Sequence, residues 1–409
     1  MKNIIKQTSW LFFSQALARV IGFFYTIFLA RNLGVQDFGL FSVGLAYFSI
    51  TSGLADFGFN RFLIREIAKD EHKSWEIIWH ILMLRLVLIS IFFALFSVFL
   101  YSFDQDKIRV SIILLSTLAV LPQAIALTFD GIFVALQKLQ FSAISSFISS
   151  LSTVSIGLFF VSKGFGAVGA INALMLGQII YAISLLYFVY RRKGLNLAPI
   201  TITVIKQAML GSLPYGLLAI LGLLYFRIDT VMLAYMRGNF EAGIYSAGYK
   251  FLESLIFIPN ALSFALFPVF AKLHLENPHK IKSIITKSTR VMFLIGLLIA
   301  IIYVLLLPYV IKIFIPKFFL TVQVVQILSI SIPFIFVHVP LATVLISTEK
   351  YLKQVILFSL IPLTFNILAN LIFIPRYGFW ASSWITVVSD VVSFLVIYFF
   401  INKYFLKNV

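Results

Sequence analysis

Cysteine is missing from all 409 residues of this chain. Its absence removes disulfides, thiolate metal sites and cysteine nucleophiles from consideration. Charge is almost as scarce: Asp, Glu, Lys and Arg supply 11% of the residues, where a soluble domain carries about 25%. The five histidines (His72, His80, His274, His279 and His338) show no metal-ligand spacing. No G-x-x-x-x-G-K-S/T stretch occurs, so transport by this chain would not be driven by ATP bound to it. Nor is there a nucleophile–base–acid arrangement, and the expectation is a protein that is not an enzyme and carries no cofactor. Gly164–Gly169 has the spacing of a dinucleotide fingerprint, but it joins two apolar segments rather than a strand and a helix. It reads as a tight turn with small residues for helix packing. Lys2 and Lys6 precede an apolar run with no small-residue cleavage site, and Arg19 interrupts it, so the run reads as a spanning helix rather than a signal peptide.

Apolar residues fill the space these absences leave. They make up 61% of the chain, with 45 Phe and a mean hydropathy of +1.04. They come in blocks of roughly 20 residues, the length that crosses a hydrocarbon core of about 30 Å. No water satisfies a bare backbone there, and runs such as Leu86–Leu100 lack the alternation of barrel strands. The expectation is an all-α integral membrane protein with about twelve spans. These cover 10–30, 39–59, 77–101, 108–135, 141–162, 166–190, 207–227, 243–268, 289–311, 320–346, 355–374 and 379–401.

The chain also matches itself. Leu29–Gly44 (LARNLGVQDFGLFSVG) aligns without a gap on Leu233–Gly248 (LAYMRGNFEAGIYSAG), 204 residues later, with six of sixteen positions identical. The identities include three glycines, and Asp37 faces Glu241. A weaker echo at 212 residues relates Gly166–Gly169 to Gly378–Ala381, and Ala135–Lys138 to Ser347–Lys350. A self-match at half length means two similar halves, 1–195 and 196–409, each with six spans. The basic segment Arg191–Ile205, with Gly194 and Pro199, is the expected boundary. An even number of spans per half makes the repeats parallel.

The net charge of +17 invites a nucleic-acid partner, but its placement follows membrane topology. With the N-terminus inside, alternate loops and the span-end residues Arg109 and Arg290 put 20 Lys and Arg on the cytoplasmic side and 8 outside. That skew predicts both termini inside, with the basic side facing anionic lipid headgroups. Nucleic acid is not expected.

Ionisable residues within spans are the informative ones. Arg19 lies roughly 15 Å from either end of its span at about 1.5 Å per residue, so it either faces a wet cavity or pairs with a buried acid. Arg85 lies eight residues into the third span, between cavity and interface. Arg227 and Asp229 close the seventh, as an interface pair or as functional groups. Lys250 and Glu253 share a helix face, as an ion pair or a ligand site. Asp56 and Arg61 flank the inner end of the second span, where headgroup contact is the alternative. Asp130 reads as interfacial, whereas Asp390 and His338 sit deep enough to hold a coupling proton or ion. Pro122, Pro214, Pro259, Pro333, Pro340 and Pro362 punctuate spans, each freeing a carbonyl and kinking its helix, and Pro122 and Pro333 fall at nearly equivalent places in spans four and ten, where kinks would suit rocking halves.

Several ordered runs together carry a family likeness. They are Ala18–Gly22 (ARVIG), Leu29–Gly34 (LARNLG), Asp37–Phe41 (DFGLF), Asp56–Gly58 (DFG), Ser212–Pro214 (SLP), Ile228–Leu233 (IDTVML), Gly243–Tyr245 (GIY), Pro268 and Asn366–Gly378 (NILANLIFIPRYG). With them the chain resembles the O-antigen flippases, polysaccharide exporters of the multidrug/oligosaccharidyl-lipid/polysaccharide superfamily. The resemblance implies a MATE-like fold: two pseudo-symmetric six-helix lobes around a cationic cavity. It implies that an undecaprenyl-diphosphate-linked oligosaccharide is moved from the inner to the outer leaflet by alternating access. Arg19 resembles the first-helix Arg of the family and of the related lipid II flippases, which implies cavity lining. Substrate-binding candidates are Arg19, Arg85, Lys250, Arg61 and Arg227, and the acids for a coupling Na⁺ or H⁺ are Asp390, Asp229 and Asp56. Expected partners are the lipid-linked oligosaccharide, membrane lipids and a polysaccharide polymerase. A lipid II flippase and a cation-coupled multidrug exporter are the alternatives. The former usually carries extra helices, and the latter calls for acids deep in the first lobe, where this chain has Arg19. A membrane glycosyltransferase would need larger outer loops.

Overall fold

The computed structural model describes residues 2–193, 201–276, 279–347 and 350–405, with side chains at 2–16, 19, 73, 192–193 and 275 outside that description. Among the described residues the chain is helical, without strands. The helices are α1 (Lys2–Asp56), α2 (Phe59–Lys69), α3 (Ser74–Phe103), α4 (Lys107–Leu118), α5 (Val120–Ala135), α6 (Leu139–Ser162), α7 (Gly166–Lys193) and α8 (Ile202–Arg237). They continue as α9 (Asn239–Leu255), α10 (Phe257–Glu276), α11 (His279–Phe314), α12 (Thr321–Ser329), α13 (Ile332–Ile346), α14 (Leu352–Tyr377) and α15 (Phe379–Phe400). All twelve apolar segments fall on helices. Among the described residues, ten helices are long and apolar enough to cross a membrane, or eleven when the α12–α13 pair, bent by 51°, counts as one span. The first of these holds two expected segments joined at Gly34, whose dihedrals are non-helical.

Three expected spans are broken, each for the same reason. Proline has no N–H to offer the carbonyl four residues back. Pro122, Pro259 and Pro333 lie four residues after Leu118, Leu255 and Ser329, which are the last residues of α4, α9 and α12. Pro214, Pro308 and Pro362 instead lie inside continuous helices.

The chain forms two compact units, residues 1–33 with 40–223, and residues 34–39 with 224–409. The division falls within α8, downstream of the 195/196 boundary read from the sequence. Of the expected Arg191–Ile205 linker, residues 194–200 lie outside the described residues. The first unit has a core of Phe59, Phe62, Leu63, Ile67, Ile78 and Phe129 with their neighbours. α2 is amphipathic: these buried positions recur at helical spacing, while Arg61, Arg65 and Lys69 stay exposed. It is too short and too polar to span. In the second unit α11 leaves Leu294, Leu298, Ile301, Leu305 and Leu306 exposed along its length, a face suited to lipid.

The sequence repeat is also a repeat of conformation. Gly34 (φ 75°, ψ 177°) and Gly238 (φ 92°, ψ 170°) share one left-handed turn that an L side chain would resist. Five residues on, Gly39 faces the Asn239 carbonyl, and Gly243 faces the Val35 carbonyl. Val35 and Gly39 are the 204-residue counterparts of Asn239 and Gly243, so the contact is reciprocal. A methyl group at either glycine would occupy the space of the opposite backbone oxygen.

Candidate functional site

The polar interior of the second unit is built where α8, α9, α14 and α15 present small and polar residues at four-residue steps. Asn366 and Asn370 share a face of α14, and Ser382, Thr386 and Asp390 a face of α15. Asp229, on α8, is 3% exposed. Its Oδ1 accepts from Asn370 Nδ2 at 2.6 Å, and its Oδ2 accepts from the Tyr245 hydroxyl at 2.8 Å and from Thr386 Oγ1 at 3.1 Å. Asn370 Nδ2 also donates to Asn366 Oδ1 at 3.0 Å, and Ser382 Oγ donates to Asn370 Oδ1 at 3.2 Å. A carboxylate withdrawn from water needs such donors, since an unpaired buried charge is far costlier than a paired one.

Thr386 decides what this cluster can do. Its hydroxyl lies 2.8 Å from the Ser382 carbonyl, 2.9 Å from the Tyr245 hydroxyl and 3.1 Å from Asp229, yet it has one hydrogen to give. When that hydrogen goes to the Ser382 carbonyl, Thr386 no longer donates to Asp229, and the lone pairs of Asp229 not used by Asn370 and Tyr245 can meet a small cation. The available ligands are all oxygens, which suit hard ions rather than thiophilic or imidazole-seeking metals. Among the described residues no group of three or more His, Cys, Asp and Glu forms a metal centre.

Asp390, 6% exposed, is held differently. Its Oδ1 accepts from the Tyr225 hydroxyl at 2.7 Å, while its buried Oδ2 has no hydrogen-bond partner. A carboxyl with one satisfied oxygen has room for a proton on the other. His338, half-buried on α13, likewise has Nδ1 without a hydrogen bond.

Arg227 does not pair with Asp229, two residues along the same helix. It crosses to α9, where Nη2 donates to Glu253 Oε1 at 2.7 Å. Lys250 Nζ donates to Glu253 Oε2 at 2.8 Å, so two cations share one carboxylate and the trio keeps a net positive charge. All three side chains are partly exposed, between 18% and 32%. Tyr245, Tyr249 and Glu253 lie at four-residue steps along α9, with the two rings stacked at 5.7 Å, so one helix face connects the Asp229 cluster to this trio.

In the first unit, Asp56 pairs with Arg85 rather than with Arg61. Arg85 is 1% exposed and also donates to Thr128 Oγ1 at 2.6 Å and to the Ala124 carbonyl at 3.4 Å. Its charge therefore has a partner inside the protein, joining α3 and α5 to the end of α1. Asp56 Oδ1 also accepts from the Asn60 N–H at 3.2 Å, which places the start of α2. Arg61 is exposed and stacks over the Tyr215 ring at 5.0 Å. The side chain of Arg19 lies outside the described residues. Asp130 is half-buried on α5.

The site and fold together define the class: a polytopic helical membrane protein with charged groups sheltered inside its bundles. Comparison with known proteins narrows this. The pattern described as "Polysaccharide biosynthesis protein" matches residues 4–274, and the MatE pattern matches residues 214–372. The chain belongs to the polysaccharide biosynthesis protein family. A putative O-antigen transporter of Shigella flexneri is 26% identical over 329 residues, covering 76% of each chain. Among solved structures, the lipid II flippase MurJ in an inward closed conformation has a TM-score of 0.76 at 14% identity, covering 96% of this chain and 87% of that one. An inward-facing multidrug resistance MATE family transporter of the MOP superfamily has a TM-score of 0.77 at 16% identity, covering 96% of each chain. At such identities these likenesses establish the fold, which is that of MOP-superfamily transporters.

Asn366, Asn370, Ser382, Thr386, Tyr245 and Tyr225 were not singled out by sequence reasoning as partners of the two acids. A signal was available: two asparagines four apart in an apolar span place two amides on one face, and such amides seek a buried partner.

Proposed function

We propose that this protein is a flippase for a polyprenyl-diphosphate-linked oligosaccharide, an O-antigen or other surface-polysaccharide repeat unit, working by alternating access in the bacterial cytoplasmic membrane. The family match across residues 4–274 carries the reading, and it takes in Arg19, Arg61, Arg85, Arg227 and Lys250. The similarity to the Shigella flexneri protein supports the same substrate class. The chemistry agrees. A diphosphate and its sugars cannot cross hydrocarbon unaided, whereas a polyprenyl tail need never leave it. The headgroup needs a wet, positive path, and Arg suits a diphosphate because it is always charged and donates as a fork.

In this mechanism Arg19 of the first unit, and Lys250 and Arg227 of the second, are the cations offered to the diphosphate, with Arg61 on the cytoplasmic side, while Arg85 acts through Asp56 to hold the first unit together. Glu253 keeps Lys250 and Arg227 close without cancelling both charges. A Na⁺ or H⁺ supplies the drive: the oxygen cradle at Asp229 suits the metal ion, and Asp390 suits a proton. No bond of the substrate is made or broken, so the protein is a carrier rather than an enzyme. Both termini lie in the cytoplasm, and the product is passed to a polysaccharide polymerase.

The test is reconstitution in vesicles with a fluorescent lipid-linked oligosaccharide, scored by headgroup accessibility to an externally added glycosidase. Transbilayer movement is expected for the wild type and lost in Arg19→Ala at normal membrane levels. A wild-type protein that leaves the headgroup inaccessible in both ion gradients would defeat the assignment. Full activity of Arg19→Ala would remove that residue from it.

A further inference from the structure

Helices α14 and α15 run antiparallel about the turn at Gly378, and the side chains between them form a groove of about 580 Å³. Its floor is made by small residues, Ala369 and Ala381, both buried. Its walls are aromatic: Phe365 and Phe373 on α14, and Trp380 and Trp384 on α15. Four-residue steps put Phe365, Ala369, Phe373 and Tyr377 on one stripe of α14, roughly 18 Å long at about 1.5 Å per residue. The lining is apolar nearly throughout. The wall rings are 39–48% exposed, so the groove is open along its side. At the Gly378 end the chemistry changes. Arg376 is exposed in the last turn of α14, and Arg237 Nη1 donates to the Pro375 carbonyl at 3.4 Å. Glu241 stands there too, its Oε1 accepting from Arg237 Nε at 2.9 Å and its Oε2 from the Phe379 N–H at 2.8 Å, so the turn holds two guanidinium groups, one of them already ion-paired, and a net positive charge.

We propose that this groove holds the polyprenyl tail of the lipid-linked substrate, with the diphosphate at the Arg376–Arg237 end. The inference rests on the flippase reading and adds to it a place for the tail. A linear acyl chain is served equally well by any lipid-facing surface and needs no groove. A methyl-branched polyprenyl chain is bulkier, and a cleft with an alanine floor and ring walls accommodates its methyl rows. Charge makes the second argument: the two guanidinium groups outnumber Glu241, and the Arg376 fork suits a diphosphate, which a zwitterionic headgroup does not match. In the topology set by the basic loops, this end faces the outer leaflet, so the groove would receive the tail late in the crossing.

The probe is a polyprenyl diphosphate with a diazirine in its tail, photolysed with the full-length protein in phosphatidylcholine nanodiscs and mapped by mass spectrometry. Adducts are expected in 365–388. They should fall at least fivefold in Ala381→Trp, which fills the floor, and on adding excess unlabelled polyprenyl diphosphate. Phosphatidylglycerol at the same excess should leave them unchanged, and Arg376→Gln should weaken capture of the diphosphate but not of the uncharged polyprenol. If Ala381→Trp is not recovered from membranes, Val388→Trp, on the groove's rim, fills the same space. Adducts elsewhere, adducts that survive filling, or equal competition by phosphatidylglycerol would each overturn the proposal. The glycosidase assay separates the two readings: movement of the headgroup without groove adducts refutes the groove alone, and absence of both refutes the carrier assignment too.

Discussion

The Asp56–Arg85 pair offers a prediction whose size follows from the structure. Asp56→Ala leaves a guanidinium that is 1% exposed with Thr128 and the Ala124 carbonyl as its hydrogen-bond acceptors, and its Nε already lacks one. Removing one partner of a buried pair typically costs about 3–5 kcal/mol. Asp56 is itself 26% exposed, so water can reach the vacated place, and roughly 3 kcal/mol is the expected loss. Asp56→Asn keeps an acceptor and should lose less. Asp56→Ala combined with Arg85→Met removes both charges and fills the space with apolar atoms, which is commonly neutral or stabilising. The double variant should therefore recover most of the stability, with a coupling energy of about 3 kcal/mol in the cycle. Thermal unfolding in detergent gives the stability and the vesicle assay gives the transport. Losses that simply add would refute the ion-pair reasoning. A double variant that is stable yet inactive would show that the Asp56–Arg85 pair serves transport as well as stability.

Other expectations follow from single contacts. Gly39→Ala and Gly243→Ala each force a methyl group against a backbone carbonyl and should destabilise by about 1–3 kcal/mol, seen as a lower melting temperature in detergent. Arg227→Gln or Lys250→Gln removes one partly exposed cation, so headgroup affinity should fall about fivefold, on the order of 1 kcal/mol, in a competition binding assay. Asp229→Asn should abolish the response of transport to an imposed cation gradient while leaving downhill exchange; an unchanged gradient response would dismiss the oxygen cradle as the coupling site. Glu241 Oε2 accepts from the Phe379 N–H at 2.8 Å and Oε1 from Arg237 at 2.9 Å. Glu241→Gln removes a negative charge from the start of α15 and should cost roughly 0.3–1 kcal/mol, checked by the same melts.

Much of the architecture could be read from the chain because one physical rule dominates it. Hydrocarbon demands long apolar helices, and twelve apolar blocks announce themselves in composition alone. Even the broken spans are marked by Pro122, Pro259 and Pro333, whereas Pro214 and Pro362, which carry the same signal, lie inside continuous helices. Partner choice was less legible. Asp56 lies 29 residues from Arg85, Arg227 lies 26 from Glu253, and Asp229 lies 157 from Thr386. The near neighbours in sequence, Arg61 for Asp56 and Asp229 for Arg227, were the natural pairs to consider and are not the observed ones. A helix carries residues two apart to different faces, so proximity along the chain argues against contact there. The aromatic groove escaped for a related reason: its rings look like ordinary membrane residues until two helices are set side by side.

The mutual seating of Gly39 and Gly243 restricts how the two repeated segments can diverge. Elsewhere in the aligned sixteen residues the copies have drifted, with Asn32 against Met236 and Gln36 against Phe240. At the seat each copy supplies both the dent and the bump, as in a two-fold contact between identical subunits. Neither copy can enlarge its glycine unless the other withdraws a carbonyl, and a main-chain atom cannot be substituted away. Two sequences otherwise at liberty to specialise thus hold each other to one residue type at this one place.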